Sequence, residues 1–353
     1  MNKEKRMEWS QACIDCKRCV PSCVILRNQE RSPKSILENF SQASLDPFTC
    51  MECQACKEAC PKGIDFGELF IAQKKILTPS SPPLAFKKVL RLQQWNFSPL
   101  FSASKGRSPE VAFMPGCALA NRSPELIEAI LNHLGEHFHS VGYFQHCCGK
   151  PLRLIGDEEG FRADFQKSLQ ALRELSPKLL LTACSNCYTT FKKELPSLDI
   201  QPLYGVLEEI PLPRSFTPQP HQPALTLHDP CPSISHPELH RSVRGVLQKA
   251  GIPFGEFKNS KEKTLCCGSG GMLGLTHPAL AKNQAIHRAK ESPTPLILTY
   301  CQSCADRLTI GGKKGVHLLE ILYQNRLENR PLGFFAKWKN RFLNRWLQRA
   351  QRS

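Results

Sequence analysis

Eighteen cysteines in 353 residues, gathered into four groups, constrain this chain more than any other feature. Residues 13–23 read CIDCKRCVPSC and residues 50–60 read CMECQACKEAC. The other ten fall after Cys60 in two matching sets: Cys117, Cys147-Cys148 and Cys184/Cys187, then Cys231, Cys266-Cys267 and Cys301/Cys304. The start, MNKEKRMEWSQAC, has no apolar run resembling a secretory signal. The expectation is therefore a reducing compartment, where clustered cysteines bind metal or do redox chemistry rather than form disulfides.

The first two groups each follow C-x2-C-x2-C-x3-C, the run that holds paired [4Fe–4S] clusters, with the fourth cysteine of each run reaching the other cluster. The expected ligand sets are Cys13, Cys16, Cys19 and Cys60 for one cubane, and Cys23, Cys50, Cys53 and Cys56 for the other. Pro61 follows the second run as the pattern expects, whereas Val24 follows the first, which has Pro21 inside it. Zinc sites more often use one or two C-x2-C pairs than two runs of four.

The ten remaining cysteines mark an internal duplication, since Cys231 lies 114 residues after Cys117 and Cys301 lies 117 after Cys184. Each copy reads as α/β. Short apolar runs end at cysteines in 111–117, 178–184, 225–231 and 295–301, and helical patterns follow in 123–134 and 237–250. Ser123 is placed to cap the first of these helices, with Pro124 at its first position. The cysteines would then lie at strand C-terminal ends, where open α/β sheets build their sites. Five thiols on three loops exceed what an ordinary cube takes. From the residues alone, a four-cysteine site with a spare thiol or a vicinal redox disulfide stays open. Gly149 and Gly268 follow the paired cysteines, as expected where backbone must approach closely or adopt positive φ; Gly270 and Gly271 add to this in the second copy.

The pattern Cys…Cys-Cys-Gly…Cys-x2-Cys, present twice, resembles the cysteine-rich CCG domains of the heterodisulfide reductases, and the N-terminal part resembles the separate dicluster protein of those enzymes. Their fusion on one chain is similar to the heterodisulfide reductases in which the two parts are joined, to the iron–sulfur component of anaerobic glycerol-3-phosphate dehydrogenase and to the glycolate oxidase iron–sulfur subunit. The resemblance is clearest in HDPC (228–231), CCGSGG (266–271) and YCQSC (300–304). It implies a noncubane [4Fe–4S] cluster on Cys117, Cys147, Cys148, Cys184 and Cys187, and another on Cys231, Cys266, Cys267, Cys301 and Cys304. All 18 cysteines are then used. The expected class is α+β overall: a small helical ferredoxin-type dicluster domain (1–78), a linker (79–108), a first α/β CCG domain (109–209), a Pro-rich linker (210–223), a second α/β CCG domain (224–326) and a basic amphipathic C-terminal helix (327–353).

Other signals are secondary. His146, His228 and Asp229 adjoin cysteines and are candidates either for proton supply or for loop packing. Lys150 is placed to offset thiolate charge or to be a solvated lysine. The chain has no GxGxxG beside a strand and no P-loop, so flavin, nicotinamide and nucleotide sites are not expected. In the tail, Phe335, Trp338, Phe342 and Trp346 span an arc of roughly 80° at helical spacing, flanked by basic residues. Together with a net charge of +16 this predicts contact with an anionic membrane or a membrane subunit, the alternative being docking on protein. No nucleic-acid partner is expected. The functional expectation is an oxidoreductase subunit passing electrons through two cubanes to or from the CCG clusters. It would be linked to a membrane quinone, a flavin dehydrogenase or another redox subunit, in the cytoplasm or peripherally on the cytoplasmic face of the inner membrane. The alternative is catalytic disulfide reduction at the noncubane clusters, as the resemblance to heterodisulfide reductase implies. A zinc-binding adaptor is the reading from a different class.

Overall fold

Two small parallel sheets, each built from one copy of the duplication, carry the C-terminal three quarters of the chain. The computed structural model describes residues 3–39, 45–80, 85–218, 223–328 and 331–347. The first sheet has the order β1-β3-β2-β4-β5, with β1 (Ala103–Lys105), β2 (Val111–Met114), β3 (Val141–Gln145), β4 (Leu179–Thr182) and β5 (Asp199–Pro202). Only β1 is antiparallel. The second has the order β7-β6-β8-β9, all parallel, with β6 (Leu225–His228), β7 (Gly255–Glu256), β8 (Leu296–Thr299) and β9 (Lys314–His317). Leaving out the edge strand β1, the two orders are the same, as a duplicated unit requires.

The apolar runs at 111–117, 178–184, 225–231 and 295–301 are the central strands β2, β4, β6 and β8. β2, β6 and β8 are buried along their whole length, as parallel strands covered on both faces must be. The helix Pro124–Gly135 starts where its sequence signals it: Ser123 Oγ accepts from Leu126 N–H at 3.3 Å and Pro124 takes the first position. Helix Pro237–Lys249 occupies the equivalent place in the second unit. The short strands β1, β3, β5, β7 and β9 carry no apolar run long enough to stand out in the sequence.

The stretch expected to be a linker is structured. Within 79–108 lie helix Phe86–Phe97 and β1. Phe86 is buried edge-on against Phe48, with ring centroids 4.8 Å apart, so this helix ties the N-terminal segment to the first sheet. Residues 81–84 of the expected 79–108 linker, 219–222 of the Pro-rich linker and 348–353 of the tail, including Arg349 and Arg352, lie outside the described residues. One continuous apolar core runs through both α/β units, joining Leu180, Leu203 and Leu207 to Val243, Leu298 and Leu319. Arg122 and Glu320, both largely buried, pair across the two units at 2.6 Å.

The N-terminal segment is helical, with a core of its own (Ile25, Leu26, Ile36, Leu37, Ile64, Phe66, Leu69 and Phe70) that continues onto Leu273 and Ala281 of the second α/β unit. The Gly-rich loop after Cys267 makes this junction possible. A side chain at Gly270 would put its Cβ 2.3 Å from the Met51 carbonyl oxygen. One at Gly271 (φ +62°) would lie 2.3 Å from the Cys50 carbonyl oxygen. Polar links reinforce it: Arg27 donates to Gln284, which in turn donates to the Cys266 carbonyl at 2.8 Å, and His277 pairs with Asp46 at 2.9 Å.

The C-terminal helix Phe334–Leu347 follows the alternative of docking on protein for part of its aromatic arc. It docks on the first α/β unit with Trp338, Arg341 and Asn344 buried. Trp338 packs on Trp95 and Phe101 at 4.9 and 4.6 Å, Asn344 donates to the Ala120 carbonyl at 2.6 Å, and Asn340 donates to Arg122 O at 2.8 Å. Phe335 and Trp346 of the expected arc point away and stay exposed. The buried face is chosen by asparagine and arginine bonds to backbone carbonyls, which a count of aromatic positions does not see. Among the described residues no helix is long and apolar enough to cross a membrane.

A buried ion pair holds the loop between β6 and Cys231. Asp229, fully buried, accepts two bonds from Arg244 at 3.1 and 2.9 Å, one from Tyr300 Oη at 2.9 Å and one from Lys261 N–H at 2.7 Å. Burial pushes its carboxyl up, but the hydrogen bonds and charge of Arg244 outweigh that and hold it below the usual value. A depressed native value means that the stabilisation is complete above the unfolded-state value of about 4 and is lost as pH falls through the native one. Arg244→Met should cost about 3–5 kcal/mol at pH 7, because it strands a buried carboxylate. In denaturant titrations the deficit should shrink as pH drops; a pH-independent deficit would refute the ionic origin. Gly271→Ala should destabilise the junction by roughly 1–3 kcal/mol through strain and contact with Cys50. Limited proteolysis should then release the N-terminal segment faster while leaving the two-sheet body intact.

Candidate iron–sulfur centres

Three loops in each α/β unit converge because three adjacent parallel strands end side by side. Cys117 follows β2, Cys147 and Cys148 follow β3, and Cys184 follows β4; Cys231, Cys266/Cys267 and Cys301 follow β6, β7 and β8 in the same way. Cys184 and Cys301 then cap the helices Ser185–Glu194 and Gln302–Ile310, which bring Cys187 and Cys304 back one turn later. The result in each unit is an unbroken string of thiols. In the first it runs Cys117, Cys147, Cys148, Cys187, Cys184. In the second it runs Cys231, Cys266, Cys267, Cys304, Cys301, with 4.0 Å between the sulfurs of Cys231 and Cys266 and 3.1 Å between those of Cys267 and Cys304. All five thiols of each copy are brought together, and none is left over as a packing residue.

Along each string the thiols pull apart: Cys147, Cys187, Cys231, Cys267 and Cys304 are pushed up by donating to their neighbours and by burial, while Cys117, Cys148, Cys266 and Cys301 are held down by accepting from them. Hydrogen bonds from Cys147 and Cys187 hold the Cys148 thiol well below its ordinary value, helped by the Lys150 backbone N–H and ammonium. Cys266 is held down likewise by Cys231, Cys267 and the backbone N–H groups of Gly268 and Gly270, the former 3.3 Å from its sulfur. Cys117 is lowered to about 7, chiefly by Cys147 and further by Arg341. Gly149 and Gly268 both adopt positive φ, +70° and +93°. The vicinal pair is thus turned back toward the other loops.

In the N-terminal segment the eight cysteines line two concavities. Cys13, Cys16, Cys19 and Cys60 line one concavity. Cys23, Cys50, Cys53 and Cys56 line a second, and Cys266 of the neighbouring unit completes its wall. Positive φ at Asp15, Lys17, Glu52 and Gln54 lets each run curl inward. Burial pushes Cys19 and Cys50 up to about 12. Buried Lys74 partly counters this at Cys50, donating to the Cys50 carbonyl at 3.2 Å, to Glu52 at 2.7 Å and to the Leu154 carbonyl at 3.0 Å. An all-sulfur donor set, four or five to a site, matches iron–sulfur ligation.

The residues beside the cysteines are mostly structural. Asp229 is committed to Arg244 and Tyr300. His146 is stacked on Phe144 at 4.6 Å and bonded to Ser104 Oγ at 2.9 Å. His228 is fully buried, its Nε2 has no hydrogen-bond partner, and it lies within 4.8 Å of the Cys267 and Cys304 sulfurs. Sequence reasoning missed three residues. Gln93, from helix Phe86–Phe97, meets Cys147 at 3.3 Å. Buried Arg288 lies beside His228, and buried Arg341 faces Cys117. None adjoins a cysteine in sequence, so no local signal marks them.

Comparison with known proteins agrees with this geometry. Residues 9–64 match the 4Fe-4S dicluster domain, and residues 111–192 and 225–309 each match the cysteine-rich domain (CCG). One chain of the fumarate reductase (CoM/CoB) of Methanothermobacter marburgensis is 24% identical, over 88% of this chain and 71% of the relative. One chain of the dihydromethanophenazine:CoB–CoM heterodisulfide reductase of Methanosarcina barkeri is 28% identical, over 80% and 76%. The EtfAB:quinone oxidoreductase of Syntrophomonas wolfei is 24% identical, over 75% of this chain and 43% of its own length. The chain is an iron–sulfur oxidoreductase subunit in which a 4Fe-4S dicluster domain is joined to two cysteine-rich (CCG) domains, and it is related to the heterodisulfide reductases.

Proposed function

We propose that this protein relays electrons along its own length, from a redox partner at the dicluster segment, through the second CCG site, to the first. Cys13, Cys16, Cys19 and Cys60 would hold one cubane, and Cys23, Cys50, Cys53 and Cys56 the other. The two five-cysteine strings would each hold one noncubane [4Fe–4S] cluster. When bound, these groups supply one-electron storage and transfer.

The observation that carries the route is the junction between the dicluster segment and the second CCG site. Cys53 lies within electrostatic reach of both Cys266 and Cys231, and Cys266 forms part of the wall around Cys23, Cys50, Cys53 and Cys56. Gly270 and Gly271 let the two backbones touch there. Onward, buried Tyr204 lies near both Cys301 and Cys184, and its ring meets Tyr300 at 5.6 Å, so the two CCG sites share a wall. Cys117 and Cys184 of the first site are half-buried and border the surface, which suits them to face an acceptor. The relatives' names include a quinone oxidoreductase and heterodisulfide reductases. Another redox protein is therefore the expected donor, and a quinone or a disulfide the class of acceptor.

Protein purified without oxygen should contain about 16 iron atoms per chain, four for each of four clusters. About 8 would leave the CCG sites without iron and overturn the assignment there. Cys53→Ser should slow electron delivery from an artificial donor to the CCG centres at least tenfold while both CCG spectra persist. Unchanged delivery would refute the route through the junction.

A further inference from the structure

The two CCG units differ in where a buried positive charge comes from. In each, the helix after the vicinal pair holds the carbonyl of its first cysteine: Ser168 Oγ donates to Cys147 O, and Gln284 Nε2 donates to Cys266 O, both at 2.8 Å. Those bonds put the helices Glu158–Leu175 and Pro278–Lys290 in register. One turn further on, the second unit carries Arg288 and the first carries Leu172, and both are buried. Arg288 reaches His228 at 3.4 Å and the Asn259 carbonyl at 2.8 Å, and its charge is met by Glu291 at 2.5 Å.

The first unit has no arginine at that point of its helix and receives one from outside the duplication. Arg341 of the C-terminal helix is fully buried, and its Nε donates to the Phe101 carbonyl at 2.8 Å. Nη2 reaches the Asn96 carbonyl at 3.5 Å. Nη1 has no hydrogen-bond partner, and the guanidinium faces the Cys117 thiol. Among the described residues no carboxylate pairs with Arg341, in contrast to Arg288. The helix is held in place by bonds independent of this charge, through Asn340, Asn344 and Trp338. A permanently charged group desolvated against a thiolate set acts at low effective dielectric, where its influence far exceeds that of a surface arginine.

We propose that Arg341 is a positioning and charge-compensating residue of the first CCG site: it stabilises the more negative, reduced state there and makes this centre easier to reduce than the charge-neutralised second site. The inference rests on the assignment of a cluster to Cys117, Cys147, Cys148, Cys184 and Cys187. The change is one electron gained with no bond made or broken. Its consequence is direction, since electrons arriving from the dicluster segment run downhill from the second site to the first. The C-terminal helix is then a functional part of the first site.

The test is an anaerobic redox titration of the full-length protein, followed by electron paramagnetic resonance and visible absorption. Cys117→Ser and Cys231→Ser identify which signal belongs to which CCG site. Arg341→Gln should lower the reduced-to-oxidised ratio of the first centre at fixed potential at least tenfold, or about 59 mV for a one-electron couple, and leave the second unchanged. Arg341→Lys should recover most of the shift. Asn344→Ala loosens the same helix without a charge change and should leave the ratio within twofold. If Arg341→Gln sheds iron from the first site while Arg341→Lys and Asn344→Ala retain it, the requirement for charge is upheld. An unshifted first centre in Arg341→Gln, or an equal shift in Arg341→Lys or Asn344→Ala, overturns the role of Arg341 alone. If Cys117→Ser removes no iron and alters no signal, the cluster assignment falls and the role of Arg341 with it.

Discussion

Close packing of cysteine sulfurs governs this molecule. Placing five sulfurs on one site, or two sets of four side by side, concentrates negative charge where water is excluded, and each such charge is costly unless something positive or hydrogen-bonding faces it. The structure meets this by placing the sulfurs where backbone N–H groups are free: just beyond strand ends, at helix N-termini and in loops turned by glycine. Cys184 and Cys301 at the starts of their helices, and Cys266 over Gly268 and Gly270, are two forms of the same solution. The arginines and Lys74 add formal charge where backbone alone is insufficient.

That demand also explains the way the domains are joined. The dicluster segment has only a modest apolar core of its own, and that core runs on into Leu273 and Ala281 of the second CCG unit. The two CCG units in turn share one core and a buried ion pair. The boundaries visible as Pro-rich stretches therefore separate segments of sequence more than bodies in space. Helix Phe86–Phe97 lies within the stretch expected to be a linker yet contributes Gln93 to the first site. The net charge of +16 becomes partly intelligible as well: one of the excess cations, Arg341, is used inside the protein beside sulfur.

The sites were legible in the sequence because their chemistry is local. C-x2-C-x2-C-x3-C run twice, and CCG with its flanking cysteines twice, define donor sets by spacing, and the strands that carry them show as apolar runs ending at a cysteine. Ser123 and Pro124 announce a helix start because capping is decided within four residues. The sequence by itself therefore determined the candidate donor thiols, the duplication and the α/β character of each copy. Only the tertiary structure decided which centre touches which, because Cys53 and Cys266 are brought together by a backbone contact between loops over 200 residues apart. It also decided that the tail turns its arginine inward: a periodic pattern shows which residues share a helix face, but which face is buried depends on the carbonyls of Phe101 and Ala120 waiting on another part of the chain.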